Sequence, residues 1–133
     1  SLATTRGHLY RAALEGLSYQ LRHALEVLEA STRFEARGIR AVGGGSRNPL
    51  WNQIRSDVTV LPISSPSLRE ATVIGAALTA FVGIGTYQSI HEAQRSIDLK
   101  TEVFQPSADS LTYQPLYRRY RKLPRALRTF YGP

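Results

Sequence analysis

The stretch AVGGGSRNPLW, residues 41–51, constrains the fold more than any other part of the chain. It follows the short apolar run Ile39 to Val42, which reads as a strand, and it closes on Asn48 and Pro49, an N-cap and a first-turn proline. Leu50, Trp51, Ile54 and Val58 then give the new helix an apolar stripe. A strand that enters a helix through three consecutive glycines is a unit of an α/β fold. Such a turn gathers unbonded backbone N–H groups at the positive end of a helix dipole, which is where phosphate binds. Glycine suits it because a Cβ would block either a positive φ or the approach of a ligand. The local pattern leaves two readings open, an anion site or a sharp structural turn. It is not a Walker A loop, since no Gly-Lys-Ser/Thr follows, and GGGSRN does not fit G-x-G-x-x-G.

Around this unit the chain alternates further helices and extended segments. Leu9, Ala13, Leu17, Leu21, Ala24, Leu25 and Leu28 recur at spacings of three and four, which predicts a long helix over residues 5–29 capped by Thr4 or Thr5. Gly7 and Gly16 within it are expected where another backbone comes close. Val60 to Ile63 reads as a second strand, pushed to an edge by Pro62. Ser67 and Glu70 fit a capping box for a helix over the apolar window 71–85, expected to be buried, with Gly75-Ala76-Ala77 as a thin packing face and Gly83 and Gly85 as its stop. Ser89 and Glu92 open a short helix to about Arg95, and residues 98–104 read as extended. A last helix is expected from about Pro115 toward Phe130, interrupted at Pro124, with Leu116, Tyr120, Leu123 and Leu127 as its docked stripe. The class is α/β with more helix than sheet.

Composition excludes several chemistries. The 133 residues contain no cysteine, so neither disulfides nor thiolate metal sites are available, and His8, His23 and His91 are too dispersed for a metal-ligand pattern. With no basic n-region followed by an apolar h-region, and no cysteine, a cytoplasmic setting is expected. The most apolar window falls short of the roughly 20 residues a spanning helix needs. Net charge is +7, but Arg118, Arg119, Arg121, Lys122, Arg125 and Arg128 crowd the C-terminus, and the rest of the chain is nearly neutral. That crowding reads as the solvated face of an amphipathic helix rather than a nucleic-acid surface.

GGGSRNPLWNQIRSDV, followed by LPI and by REATVIGAALTAF, closely resembles the C-terminal domain of the FGGY family of carbohydrate kinases, in the actin-like ATPase superfamily. TTRGHLYRAALEGL, residues 4–17, is similar to the second half of that family's second signature, with His8-Leu9 and Ala12-Ala13-Leu14-Glu15 in the corresponding places. Within the family the wording is most similar to kinases of L-fuculose, with xylulose and other pentose or deoxyhexose kinases close behind. The resemblance implies the helix-rich C-terminal part of a ribonuclease H-like (actin-like ATPase) domain with a short sheet, over residues 1–133. It implies ATP or ADP with Mg2+ as cofactor and a sugar as co-substrate. Gly43, Gly44 and Gly45 would lie against the phosphates, with Gly44 at the closest approach, and Asn48 on the adenine side. Ser46 and Arg47 would be loop contacts, and Arg69 and Glu70 would lie near the cleft.

Each of these has a plainer alternative. Asn48 before Pro49 is expected as an N-cap with no ligand, Trp51 reads as core rather than adenine platform, and Glu70 is accounted for by the capping box. His8 is expected to be structural, and Asp57 is assigned no catalysis. The resemblance also implies what is missing: the aspartate base, a second phosphate loop and most sugar contacts belong to an N-terminal domain. No catalytic or metal-ligating residue is therefore assigned, and the chain alone is expected to be inactive. Its apolar helices, lacking their upstream neighbours, are expected to favour homodimers. The rival classes are a non-catalytic interaction domain of the same fold and a basic nucleic-acid-binding module.

Overall fold

The computed structural model describes residues 3–67, 70–98 and 100–131. A long first helix, α1 (Arg6–Ser31), begins at Thr5, whose Oγ1 accepts the His8 N–H while the His8 ring accepts the Thr5 N–H in return. This reciprocal cap gives His8 the structural role expected of it. Strand β1 (Ile39–Arg40) leads into the glycine turn and a 3-10 segment (Gly44–Arg47), then α2 (Pro49–Thr59) and β2 (Ile63–Pro66). Helices α3 (Ala71–Gly83) and α4 (Ile90–Arg95), strand β3 (Thr101–Phe104), and helices α5 (Ser110–Tyr120) and α6 (Leu123–Tyr131) complete the order.

The sheet runs β1-β2-β3, with β1 parallel to β2 (Ile39 opposite Ile63) and β3 antiparallel to it (Phe104 opposite Ile63). β2 is thus the central strand, not an edge. Pro62 stands just ahead of it, where its carbonyl accepts the Ile39 N–H and no donor is required of it. Val60, expected in the strand, instead ends α2 in the left-handed region at φ 60°.

The core forms where α1, α2 and α5 meet. Leu14, Tyr19, Ile54, Val58, Tyr113 and Tyr117 are buried together, with Trp51 and Tyr120 packed against them. Arg22 of α1 ties this junction by donating to the Val58 carbonyl at 3.0 Å and to Gln114 Oε1 at 2.9 Å, with its guanidinium 4.2 Å from the Tyr117 ring centre. Asp57 is buried in α2, where it accepts from the Ser107 N–H at 2.6 Å and from Gln53, and so holds the segment after β3 to the helix.

Several expectations are corrected. The apolar helix α3 is not buried: Leu78 is its one buried residue, and Val73 and Phe81 are exposed, because α3 packs on α4 rather than under the sheet. A Cβ on Gly75 or Gly16 would meet open space and one on Gly7 only the Thr5 hydroxyl, so no backbone crowds these positions. The Ser67–Glu70 capping box does not form. Ser67 extends the β2–β3 ladder through its N–H to the Lys100 carbonyl, and Glu70 precedes α3 without a side-chain capping bond. Ser89 does cap α4, at 3.2 Å from the Glu92 nitrogen.

The last helix starts at Ser110 and includes Pro115 on an exposed face. The break comes at Arg121 and Lys122, and Pro124 sits in the first turn of α6, where no donor is needed. That break redirects the chain, so no single stripe runs through both helices: Tyr113 and Tyr117 are buried, whereas Leu116, Leu123 and Leu127 are exposed.

Candidate functional site

The parallel pair β1/β2 places the glycine turn at the carboxyl end of the strands, where open α/β sheets bind ligands. The three glycines are there for three different reasons. Gly43 adopts φ 86° and ψ −171°, a conformation that is essentially glycine's alone. Gly45 faces the Trp51 ring so closely that a Cβ would stand 2.8 Å from Cζ3. Gly44 has neither constraint: its φ is ordinary and a Cβ there would meet nothing within 4 Å. The N–H groups of Gly44 and Gly45 have no hydrogen-bond partner among the described residues. They open the 3-10 segment that leads straight into α2.

The rest of the turn is tied inward. Ser46 is buried, and its Oγ donates to the Gly43 carbonyl at 2.7 Å. Its own carbonyl accepts from Asn52 Nδ2 at 2.7 Å and from Ser65 Oγ at 3.1 Å, which fastens the turn to both α2 and β2. Arg47 points out beside Glu70 at 3.9 Å, a surface pair of small energetic weight. Arg69 lies outside the described residues.

Asn48 caps α2 with Oδ1, which accepts the Trp51 N–H at 3.1 Å, and donates through Nδ2 to the Tyr10 hydroxyl at 3.0 Å. Trp51 packs on the core, as expected of the apolar stripe, with the Arg55 guanidinium 3.6 Å from its ring centre. Burial lowers the Arg55 pKa from its ordinary value, and its Nη1 donates to Asn52 Oδ1 at 3.1 Å. Leu50, also on the expected stripe, is exposed instead.

A cavity of about 800 Å3 opens beside the turn, lined among others by Ser46, Arg47, Asn52, Ser65, Lys100 and Glu102. Among the described residues, the sequence-assigned ones that reach it are Ser46 and Arg47. Gly43, Gly44, Gly45 and Asn48 do not line it, so the assigned group divides between two sides of the turn. Sequence reading missed Tyr10, Asn52 and Ser65. Tyr10 lies 38 residues from Asn48, beyond any local pattern, whereas Asn52 carried a signal as a polar residue between Trp51 and Ile54.

Among the described residues no group of three or more His, Cys, Asp or Glu could hold a metal ion, and no helix is long and apolar enough to cross a membrane.

Residues 1–84 match the C-terminal domain of the FGGY family of carbohydrate kinases. L-fuculokinase of Escherichia coli (strain K12) is 45% identical over 109 residues, which is 82% of this chain and 23% of that protein. A glycerol kinase of Bacillus cytotoxicus is 32% identical across 96% of this chain and 25% of its own length. The crystal structure of xylulose kinase from Rhodospirillum rubrum superposes with a TM-score of 0.79 at 31% identity, covering 98% of this chain and 26% of that one. The chain thus spans about a quarter of the length of these relatives, and its helix-rich architecture with a small sheet fits the actin-like ATPase fold of the sugar kinases.

Proposed function

The chain belongs to the FGGY family of carbohydrate kinases, and from that premise we propose that it forms the nucleotide-binding wall of an ATP-dependent sugar kinase. The kinase transfers the γ-phosphoryl group of ATP to a sugar hydroxyl. The observation that carries this reading is Gly44. The fold accounts for Gly43 through its backbone angle and for Gly45 through Trp51, but nothing among the described residues requires the residue between them to lack a side chain. Beside the unpartnered N–H groups of Gly44 and Gly45, an open approach is what a phosphate needs. Asn48, at the far end of the 3-10 segment, lies on the adenosine side.

The donor set of the glycine turn suits phosphate and not a cation. The backbone N–H groups of the turn would hold the phosphates, and Mg2+ bound with the nucleotide would supply charge neutralisation. Phosphoryl transfer to a hydroxyl also needs a carboxylate base and a pocket that holds the sugar in line. We assign both to an N-terminal domain facing this wall, and hence no phosphorylation to this chain alone. L-fuculose is the proposed sugar, supported by the 45% identity to the Escherichia coli enzyme. The structural similarity to a xylulose kinase makes a pentulose the second choice.

The test is an NMR titration of the chain with Mg·ADP. Amide shifts centred on Gly43 to Asn48 are expected. The absence of any shift there at millimolar nucleotide overturns the nucleotide reading. For the sugar, a kinase assembled from this chain and its N-terminal domain should phosphorylate L-fuculose faster than xylulose, and the reverse order displaces the first choice.

A further inference from the structure

The Asn48 carboxamide is held from two directions. Its Oδ1 accepts the Trp51 N–H as helix cap, and a backbone N–H can only donate, so the cap determines which end of the carboxamide is oxygen. One N–H of Nδ2 is then taken by the Tyr10 hydroxyl. The other Nδ2–H has no partner among the described residues. Tyr10 stands on the first turns of α1, with its side chain exposed, and its hydroxyl keeps its own hydrogen for a second partner.

A cap bond alone leaves an asparagine free to swing about its broad, soft terminal torsion. A second tie on the opposite end of the amide removes that freedom before any ligand arrives, which lowers the ordering cost of binding. We propose that Tyr10 is a positioning residue for base recognition: by accepting one Asn48 N–H it aims the other at a ring-nitrogen acceptor of the nucleotide base. This rests on the proposed place of Asn48 on the adenosine side. It adds that α1, an element remote in sequence from the glycine turn, sets the geometry of the base contact.

The test separates base from phosphate. Tyr10→Phe keeps the ring and removes only the acceptor. The chain and this variant are titrated with ADP and with tripolyphosphate, which has no base. Tyr10→Phe is expected to weaken ADP binding about three- to tenfold, the weight of one neutral hydrogen bond, and to leave tripolyphosphate binding unchanged. Asn48→Ser retains a capping oxygen but loses the amide, and on that background Tyr10→Phe should add nothing. The proposal is overturned if Tyr10→Phe binds ADP as tightly as the parent, if it weakens tripolyphosphate equally, or if its effect persists on the Asn48→Ser background. When the parent binds both probes and Tyr10→Phe is silent, the positioning role alone falls. When the parent binds neither probe, the nucleotide reading falls and the positioning role with it.

Discussion

The edge of the Trp51 ring lies against Gly45 so closely that a Cβ on the glycine would come within 2.8 Å of Cζ3. The ring cannot retreat freely, because Arg55 lies over its face at 3.6 Å and the core packs beside it.

That contact separates the three glycines experimentally. Gly45→Ala should cost about 1–3 kcal/mol through overpacking, and Gly43→Ala about as much through backbone strain. Gly44→Ala should stay within about 0.5 kcal/mol of the parent in urea denaturation and yet lose ADP binding. Retention of full ADP affinity by Gly44→Ala would remove the main support for a phosphate site at this turn.

Val60 ends α2 at φ 60° and ψ 30°, a conformation a β-branched residue adopts only under strain, and its side chain is half exposed. Val60→Gly should therefore raise stability by about 1 kcal/mol, read as an increase in the urea midpoint with an unchanged slope. A lower midpoint would mean that the Val60 side chain contributes packing that outweighs its strain.

Tyr19 and Tyr117 set an alkaline limit on the fold. Burial, aided by Glu15 near Tyr19 and by Glu26 at Tyr117, pushes both phenols up to about 12 from an ordinary value of 10. Between those two pH values the unfolded chain has released protons that the folded chain still holds, so stability falls as pH rises. The melting temperature should hold up to about pH 10 and decline steadily above it. The Tyr19 hydroxyl is buried with no partner among the described residues, so Tyr19→Phe should match or exceed the parent at pH 7 and lose stability later in an alkaline titration. Tyr117→Phe breaks a 2.7 Å bond to Glu26 and should cost about 1.5 kcal/mol. A flat melting temperature from about pH 9 to 12 would contradict this assignment.

Val73 and Phe81 on α3 and Ile84 at its C-cap leave apolar surface exposed at this end of the molecule. The chain is expected to self-associate, and the double change Val73→Ser with Ile84→Ser should shift sedimentation toward the monomer. A clean monomer at high protein concentration for the parent would remove this expectation.

Local physics made the glycine turn legible. The unit of strand, glycine turn and Asn-Pro-capped helix could be read from Ile39 to Val58 because each of its devices acts within a few residues of chain. The caps at Thr5 and Ser89 were readable for the same reason. The capping box at Ser67 failed because a nonlocal ladder bond to Lys100 claimed that backbone first.

The elements, the α/β class and the family were therefore written in the order of residues, since periodicity, caps and glycines are properties of neighbours along the chain. Packing settled which faces are covered. It made β2 central, left α3 in the open, and turned Tyr113 and Tyr117 rather than Leu116 and Leu123 into the core. It also brought Tyr10 to Asn48 and Trp51 to Gly45, contacts that depend on how helices pack rather than on how they form. Burial and aim are set by which surfaces meet, and no local pattern encodes that.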